Sequence, residues 1–212
     1  MARGDEWGLT KSEAAVFRRL RTPEKIQDFL DQLPINFETT GRTYFSPRRV
    51  LREGRAHCLE GALLAAAALW RGGGPPLLLD LETTLADEPH VVALFRRGGH
   101  WGAISKTNHA SLRYRDPIYR TVRELALSYF HEYFVNRTGA KVLRRYSRPF
   151  NLRRFGAGWV TAEENLDYLV AALAASPHYS LLPPGGASRL RPASALERRA
   201  GELTDWPLPP IA

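Results

Sequence analysis

The spacing of apolar and polar residues changes along the chain, and its first part has a helical period. Apolar side chains recur every three or four residues, and each run follows a residue able to cap a helix. Thr10 is followed by Glu13 in the spacing of a capping box, whereas Thr22 and Ser46 each precede a proline, which is favoured at the first helical position. The pattern predicts helices beginning after Thr10, Thr22 and Ser46.

A longer apolar run rich in alanine and leucine follows the loop at residues 53–55. It begins at Cys58, continues through residues 62–70, and is stopped by the glycines at 72–74. Cys58 is therefore expected in the first turn of a long helix.

The middle of the chain has short apolar segments bounded by glycine, proline and charged residues, which is typical of strands. These segments are residues 76–81, 90–95 and 101–104. Gly98 and Gly99 suit a tight hairpin between the last two strands. We expect His90 and Trp101 to face each other across that antiparallel pair.

Helical patterns return after residue 117, at 121–134 and 162–175, where Thr121 with Glu124 and Thr161 with Glu164 have capping-box spacing. The order predicts one α+β domain over residues 1–178.

Residues 179–212 form a tail rich in proline, glycine and arginine. Leu203, Trp206 and Leu208 within the tail could pack back on the domain as an extended strap.

The composition favours a globular protein without a membrane span or a disulfide. With 212 residues and 44% hydrophobic content the chain can bury a substantial core. Its longest apolar run is too short to cross a bilayer, and its first residues lack the apolar segment of a signal peptide. A single cysteine excludes an internal disulfide and suits a reducing compartment. A cytoplasmic location is expected.

The net charge of +8 raises the possibility of an anionic partner. The arginines occur in scattered pairs rather than in one basic tail, which indicates a solvated surface. Neither nucleic acid nor a membrane is expected as a partner.

Cys58 is the residue most suggestive of chemistry. At a helix N-terminus, unpaired backbone N–H groups and the positive end of the helix dipole favour a thiolate over a thiol. A buried, unreactive cysteine is the alternative, because free cysteine often packs as a small hydrophobic residue.

Residues 46–108 resemble the core of transglutaminase-like proteins, which belong to the papain-like group. The matching segments are the cysteine helix at 54–69, the turn and strand at 71–79, the histidine strand at 90–95, and the Trp-bearing strand at 99–105. The resemblance implies a cysteine-bearing helix packed on a small antiparallel sheet, with extra helices toward both ends of the chain.

Under this resemblance Cys58 is the nucleophile and His90 is its base, ranked above His100 and His109. Ser105 occupies the position of the family's histidine-orienting aspartate, and the Asn108 amide is a second candidate for that role.

Asp116 remains a third alternative for this orienting role if the loop before it folds back. His57, His100 and Trp101 are expected at the substrate site.

No cofactor is expected, and no metal either, because Cys58 and the histidines lack the short paired spacing of metal ligands. The resemblance implies acyl transfer or hydrolysis acting on a peptide, a protein, or a small amide or ester. The alternative is a catalytically inactive papain-like module that binds a protein or an anionic partner through its basic surface.

Overall fold

The computed structural model describes residues 7–207, which form an α+β fold. Within these residues the helices are α1 (Lys11–Arg19), α2 (Pro23–Gln32), α3 (Pro47–Glu53), α4 (Cys58–Arg71), α5 (Val122–Ser128), α6 (Asp167–Ala174) and α7 (Ala195–Gly201). The strands are β1 (Leu77–Thr83), β2 (His90–Arg97), β3 (His100–Ile104), β4 (Arg115–Tyr119), β5 (Leu143–Ser147), β6 (Phe150–Asn151) and β7 (His178–Ser180). Short 3-10 helices occur at Leu152–Phe155, Gly158–Val160 and Gly186–Arg189.

The first helices begin where their capping residues predict. The hydroxyls of Thr10, Thr22 and Ser46 each accept a hydrogen bond from a backbone N–H one turn later. These bonds satisfy donors that a helix start otherwise leaves unpaired. α3 stops at Gly54, whose left-handed φ of +66° is readily adopted by glycine.

The two later helices are shorter than the sequence predicts. α5 ends at Ser128, and the predicted helix over 162–175 is confirmed only from Asp167 onward. Thr161 ends a 3-10 turn, and its hydroxyl donates to the Trp7 carbonyl at 3.3 Å instead of capping a helix. The prediction of a helix start at Thr161 is therefore wrong, because a tertiary contact takes the hydroxyl.

The sheet is antiparallel, with strand order β4-β3-β2-β1-β5-β7 and with β6 paired to β1. Gly98 and Gly99 form the predicted hairpin turn, with φ of +57° and +82°. This turn fixes Arg96 opposite Trp101, and His90 pairs instead with Leu81 of β1. The prediction that His90 faces Trp101 is wrong, because register is counted outward from the two-residue turn.

α4 and α5 cover opposite faces of the sheet. Successive strand side chains alternate between the two faces. One core cluster joins α4 to Leu78, Val91 and Ala93, and the other joins α5 to Leu79, Val92 and Leu94. Residues 62–68 of α4 are all buried.

α4 runs in the same direction as β2. At one end Cys58 and His90 line one cleft, and at the other end Leu69 and Leu94 line a second cavity. The start of the cysteine helix therefore meets the start of the histidine strand.

Residues 179–207 pack back on the rest of the fold. Leu181 is buried, and α7 brings Gly201 against Phe134. Leu203 is 63% exposed, so the prediction that its side chain packs on the domain is wrong, whereas Trp206 is half-buried. The backbone of residues 203–205 pairs with residues 108–110, and this pairing directs the Leu203 side chain to solvent. Leu208 lies outside the described residues.

Many surface arginines have acidic partners. Arg48 contacts Glu13 at 2.8 Å and Arg97 contacts Glu24 at 2.5 Å. The Arg97–Glu24 pair is exposed and contributes little stability, whereas the Arg48–Glu13 pair is half-buried, and both neutralise part of the positive charge locally. Across residues 7–207, no helix has the length and apolar character needed to span a bilayer.

Candidate active site

Cys58 is the first residue of α4 and is only partly exposed. Amide groups in the first turn of a helix have no partner within the helix, so they are available to a negative charge placed there. His57 directly precedes the helix as its N-cap residue. The thiol is therefore held where a negative charge is favoured.

Glu60, in the first turn of α4, fixes the shape of this helix start. Its fully buried carboxylate accepts hydrogen bonds from the His57 N–H at 3.0 Å, the Asn36 amide at 3.0 Å, the Thr43 hydroxyl at 2.8 Å and the Phe45 N–H at 3.0 Å. A buried carboxylate needs such donors to offset its loss of hydration. Glu60 thus ties the loops before α3 to the residue preceding the thiol.

His57 is oriented by a backbone carbonyl and contacts the thiol. Its Nε2 lies 2.9 Å from the Thr43 carbonyl oxygen, which can only accept, so Nε2 carries a proton. Burial lowers the pKa of His57, but its hydrogen bond with Cys58, together with the charges of Cys58 and Glu60, raises that pKa to about 9. His57 is therefore an imidazolium near neutral pH.

His90 and Ser105 form a second pair, in which both residues are at least 95% buried. His90 Nε2 lies 2.8 Å from Ser105 Oγ, and that hydroxyl donates its only proton to the Leu112 carbonyl at 2.6 Å. Ser105 Oγ can then only accept, so His90 Nε2 carries the proton of this bond. Nδ1 is left as the ring nitrogen available to Cys58.

The ionisation of Cys58 follows from these contacts. Burial alone would raise the pKa of the thiol, but hydrogen bonds from His57 and His90 and the charges of both rings hold it well below its usual value. The arrangement is a thiol of lowered pKa between two histidines, which favours the thiolate, the reactive form of cysteine.

These groups line a cleft of about 490 Å³. Its apolar walls come from Ile35, Phe37, Tyr133 and Phe134. Its polar lining comprises His57, Cys58 and His90 together with Lys106, Asn108 and His109. A volume of this size lies in the range of small-molecule and peptide side-chain sites.

Of the three candidates for orienting His90, Ser105 is the one in contact with it. Asn108 instead uses its side-chain amide to bind the Trp206 backbone, donating to the carbonyl at 3.0 Å and accepting from the N–H at 2.9 Å. Asp116 is exposed on the edge strand β4.

The remaining candidates are dispersed. His109 lines the cleft, but its Nδ1 contacts the Gly201 carbonyl at 3.0 Å. His100 and Trp101 lie at the turn end of the β2–β3 hairpin, where the His100 ring contacts the Gly98 carbonyl. That end of the hairpin is distant from His90, so neither residue is among those that line the cleft.

Sequence reasoning missed the contact of His57 with the thiol and the buried network of Glu60. A signal for the network was present, because Glu60 follows His57 by three residues, the spacing at which a carboxylate reaches back to an N-cap backbone N–H. No local signal identifies Asn36 or Thr43 as its partners, since both contacts are tertiary.

Within residues 7–207 no three His, Cys, Asp or Glu side chains are arranged to hold a metal ion. No protein-family model matches the chain, and no curated protein matches it significantly.

Proposed function

We propose that the protein is a cysteine enzyme with a transglutaminase-like core, catalysing acyl transfer or hydrolysis on an amide or ester. The observation that carries the proposal is the contact of one thiol with two histidines, one of them oriented by Ser105, at the start of a helix that lines a cleft. The direction of α4 along β2, with Cys58 and His90 at the same end, supports a papain-like core.

In the proposed reaction the Cys58 thiolate attacks the substrate carbonyl carbon. A C–S bond forms, and the carbonyl π electrons move to oxygen, where the Cys58 backbone N–H can stabilise the oxyanion. Protonated His90 gives its proton to the departing amine or alcohol as the carbonyl bond to that group breaks. Water or an amine then attacks the thioester, giving its proton to His90 and releasing the thiolate.

The two histidines have different roles in this proposal. His57 holds its Nε2 proton against the Thr43 carbonyl, and its pKa of about 9 keeps it charged near neutral pH. A group that stays protonated stabilises the thiolate but transfers protons poorly at that pH. His90 is therefore assigned the proton transfer and His57 the electrostatic support.

The test is the pH dependence of alkylation by iodoacetamide, which reports Cys58 alone because no other cysteine exists. We expect the wild-type thiol to titrate well below the ordinary value of about 8.5, and His90→Gln and His57→Gln each to raise its pKa. His100→Gln, which alters a ring at the far end of the hairpin, is the control and leaves the profile unchanged.

A wild-type thiol with an ordinary pKa, unaffected by either substitution, would contradict the proposal. Activated esters and amides then provide the second stage, with mass spectrometry of the protein detecting an acyl group on Cys58. A low thiol pKa without acylation by any of them would favour the inactive binding module instead.

A further inference from the structure

The loop between β3 and β4, residues 105–114, contains a residue in an unfavourable conformation next to the site. Leu112 has φ of +59°, in the left-handed region that favours glycine. A leucine there brings its Cβ close to its own backbone, so surrounding contacts must hold it in place. In the residues described, Glu38 is the other non-glycine residue with positive φ.

Glu132, in the turn after α5, holds Leu112 from one side. The Leu112 N–H donates to Glu132 Oε2 at 2.8 Å, and Arg115 Nη2 lies 2.7 Å from the same oxygen. Arg115 is itself fixed, because its Nε donates to Ser128 Oγ at 3.0 Å and its guanidinium lies over the Tyr129 ring. The carboxylate is thus anchored on α5 and β4.

The conformation of Leu112 determines where its carbonyl points. That carbonyl accepts the Ser105 hydroxyl proton, which obliges Ser105 to accept from His90 Nε2. If the carbonyl moved away, the hydroxyl could donate to Nε2 instead. His90 would then carry its proton on Nδ1 and could not accept one from Cys58.

We propose that Glu132 is a positioning residue of the Cys58–His90 pair, setting the tautomer of His90 through Leu112 and Ser105. The inference rests on the proposed function for its catalytic meaning. It also explains how Ser105 can occupy the position of the histidine-orienting carboxylate. The carboxylate of Glu132 acts on His90 indirectly, through its hydrogen bond to Leu112 and the hydrogen bond of Leu112 to Ser105.

Other charged groups also face the thiol. The effect of Glu132 on the His90 tautomer must therefore be distinguished from a through-space effect of its negative charge on the thiol pKa. His57 faces it from the start of α4, His90 from β2 and Asp80 from β1. Lys106, beyond β3, lines the same cleft. Glu88 lines the cleft as well, and its carboxylate has no hydrogen bond to any of residues 7–207, so Glu88→Ala removes a nearby charge without touching the 105–114 loop.

The experiment records the side-chain ¹⁵N spectrum of the histidines, which distinguishes Nδ1–H from Nε2–H, and the alkylation profile of Cys58. His90 signals are assigned by their loss in His90→Gln. The spectra are recorded at a pH high enough for His90 to be neutral, because an imidazolium has no tautomers. In wild type and Glu88→Ala, neutral His90 is then expected in the Nε2–H form. In Glu132→Ala we expect mixed tautomers and an alkylation profile displaced upward by roughly one pH unit, which makes alkylation about tenfold slower at pH values below the wild-type thiol pKa.

Two further variants test the route of the effect. Glu132→Gln keeps an oxygen that can accept the Leu112 N–H, so it retains the Nε2–H form. Adding Leu112→Gly to Glu132→Ala restores that form in part, because glycine adopts positive φ without support. If Glu132→Ala does not fold, Glu132→Met takes its place, because it fills similar space without an acceptor for the Leu112 N–H: mixed tautomers then support the proposal, and an unchanged Nε2–H form decides against it.

An unchanged His90 tautomer in folded Glu132→Ala, or equal effects of Glu132→Ala and Glu88→Ala, would overturn the inference. The result that would contradict this inference is different from the result that would contradict the proposed function. A wild-type thiol of ordinary pKa contradicts the enzyme, whereas the tautomer of His90 reports on Glu132 independently of that result.

Discussion

At the scale of single residues, His57 links chemistry to stability. Its ring is charged because the thiol and Glu60 outweigh burial, and its Nε2–H bonds a carbonyl. The sequence predicts His57 only as a residue of the substrate site. Its contact with the thiol became evident only from the side-chain geometry, since a residue before a helix can point in several directions.

The pH dependence of stability follows from this charge. The folded pKa of His57, about 9, lies above the ordinary value of 6.5. Its contribution is therefore fully present below about pH 6.5 and is lost as pH rises through about 9. We expect the destabilisation caused by His57→Gln to be largest at about pH 6.5 and to shrink as the pH rises toward about 10, as measured by urea unfolding across that range.

The thiol of the unfolded chain titrates in both proteins and cancels in this comparison. His100→Gln serves as the matched control, because its ring contacts an exposed turn carbonyl, and its effect should not vary over the same interval. A loss from His57→Gln that stays constant or grows up to pH 10 would show that the ring is not charged in the folded protein.

At the scale of elements, the site depends on how closely α4 approaches the exit of β3. A Cβ on Gly61 would lie 2.5 Å from Lys106 Cβ, so only glycine fits at this point of α4. Lys106 is 1% exposed, and its ammonium donates to the carbonyls of Leu30 and Leu33 at the end of α2. Burial lowers its pKa to about 8. α2, α4 and β3 therefore meet at one buried lysine.

Gly61→Ala tests this contact. Alanine favours a helix by up to about 1 kcal/mol over glycine, but the clash with Lys106 should outweigh that gain. We expect a net destabilisation of about 1–3 kcal/mol by urea unfolding, together with slower alkylation of Cys58 as the start of α4 is displaced.

Gly158→Ala is the control for Gly61→Ala, because its Cβ would meet nothing within 4 Å. A Gly61→Ala protein as stable as wild type, or more stable, would mean that α4 can shift without cost.

The sequence predicts elements well where local contacts decide them. The caps at Thr10, Thr22 and Ser46 and the Gly98–Gly99 turn act within a few residues, and all four are found. β5 was not predicted, because arginines interrupt its apolar pattern and its pairing partners lie far away in sequence. Similarly, Cys58 and His90 are predicted together, whereas Glu132 reaches the site only through tertiary contacts.

At the scale of the whole molecule, residues 201–206, here called the C-terminal segment, pack against the 105–114 loop, and Gly201 at the start of the segment lines the cleft. Ala110 N–H donates to the Leu203 carbonyl at 3.0 Å and Asp205 N–H to the Asn108 carbonyl at 2.9 Å. Arg113 contacts the Asp205 carboxylate at 2.5 Å. The 105–114 loop is therefore held by contacts from α5 on one side and from this segment on the other.

Asn108→Ala separates these two supports. It removes both amide bonds to Trp206 but leaves the contact between Ser105 and His90 in place. We expect faster hydrogen exchange at the amides of residues 203–206, with the pH profile of Cys58 alkylation unchanged.

Asn151→Ala, which removes a remote side-chain bond to the Arg153 N–H, should alter neither of these measurements. A raised thiol pKa in Asn108→Ala would instead assign Asn108 a part in orienting His90.

The pairing of the C-terminal segment with residues 108–110 also bears on the order in which the protein assembles during synthesis. His109 bridges to Thr204, nearly a hundred positions later in the chain, and Gly201 lines the cleft, so this side of the cleft cannot form until the segment has left the ribosome. The helix that carries the cysteine and the strand that carries its histidine are both made long before. The nascent chain thus exposes an unfinished cleft until almost all of the described residues have been translated.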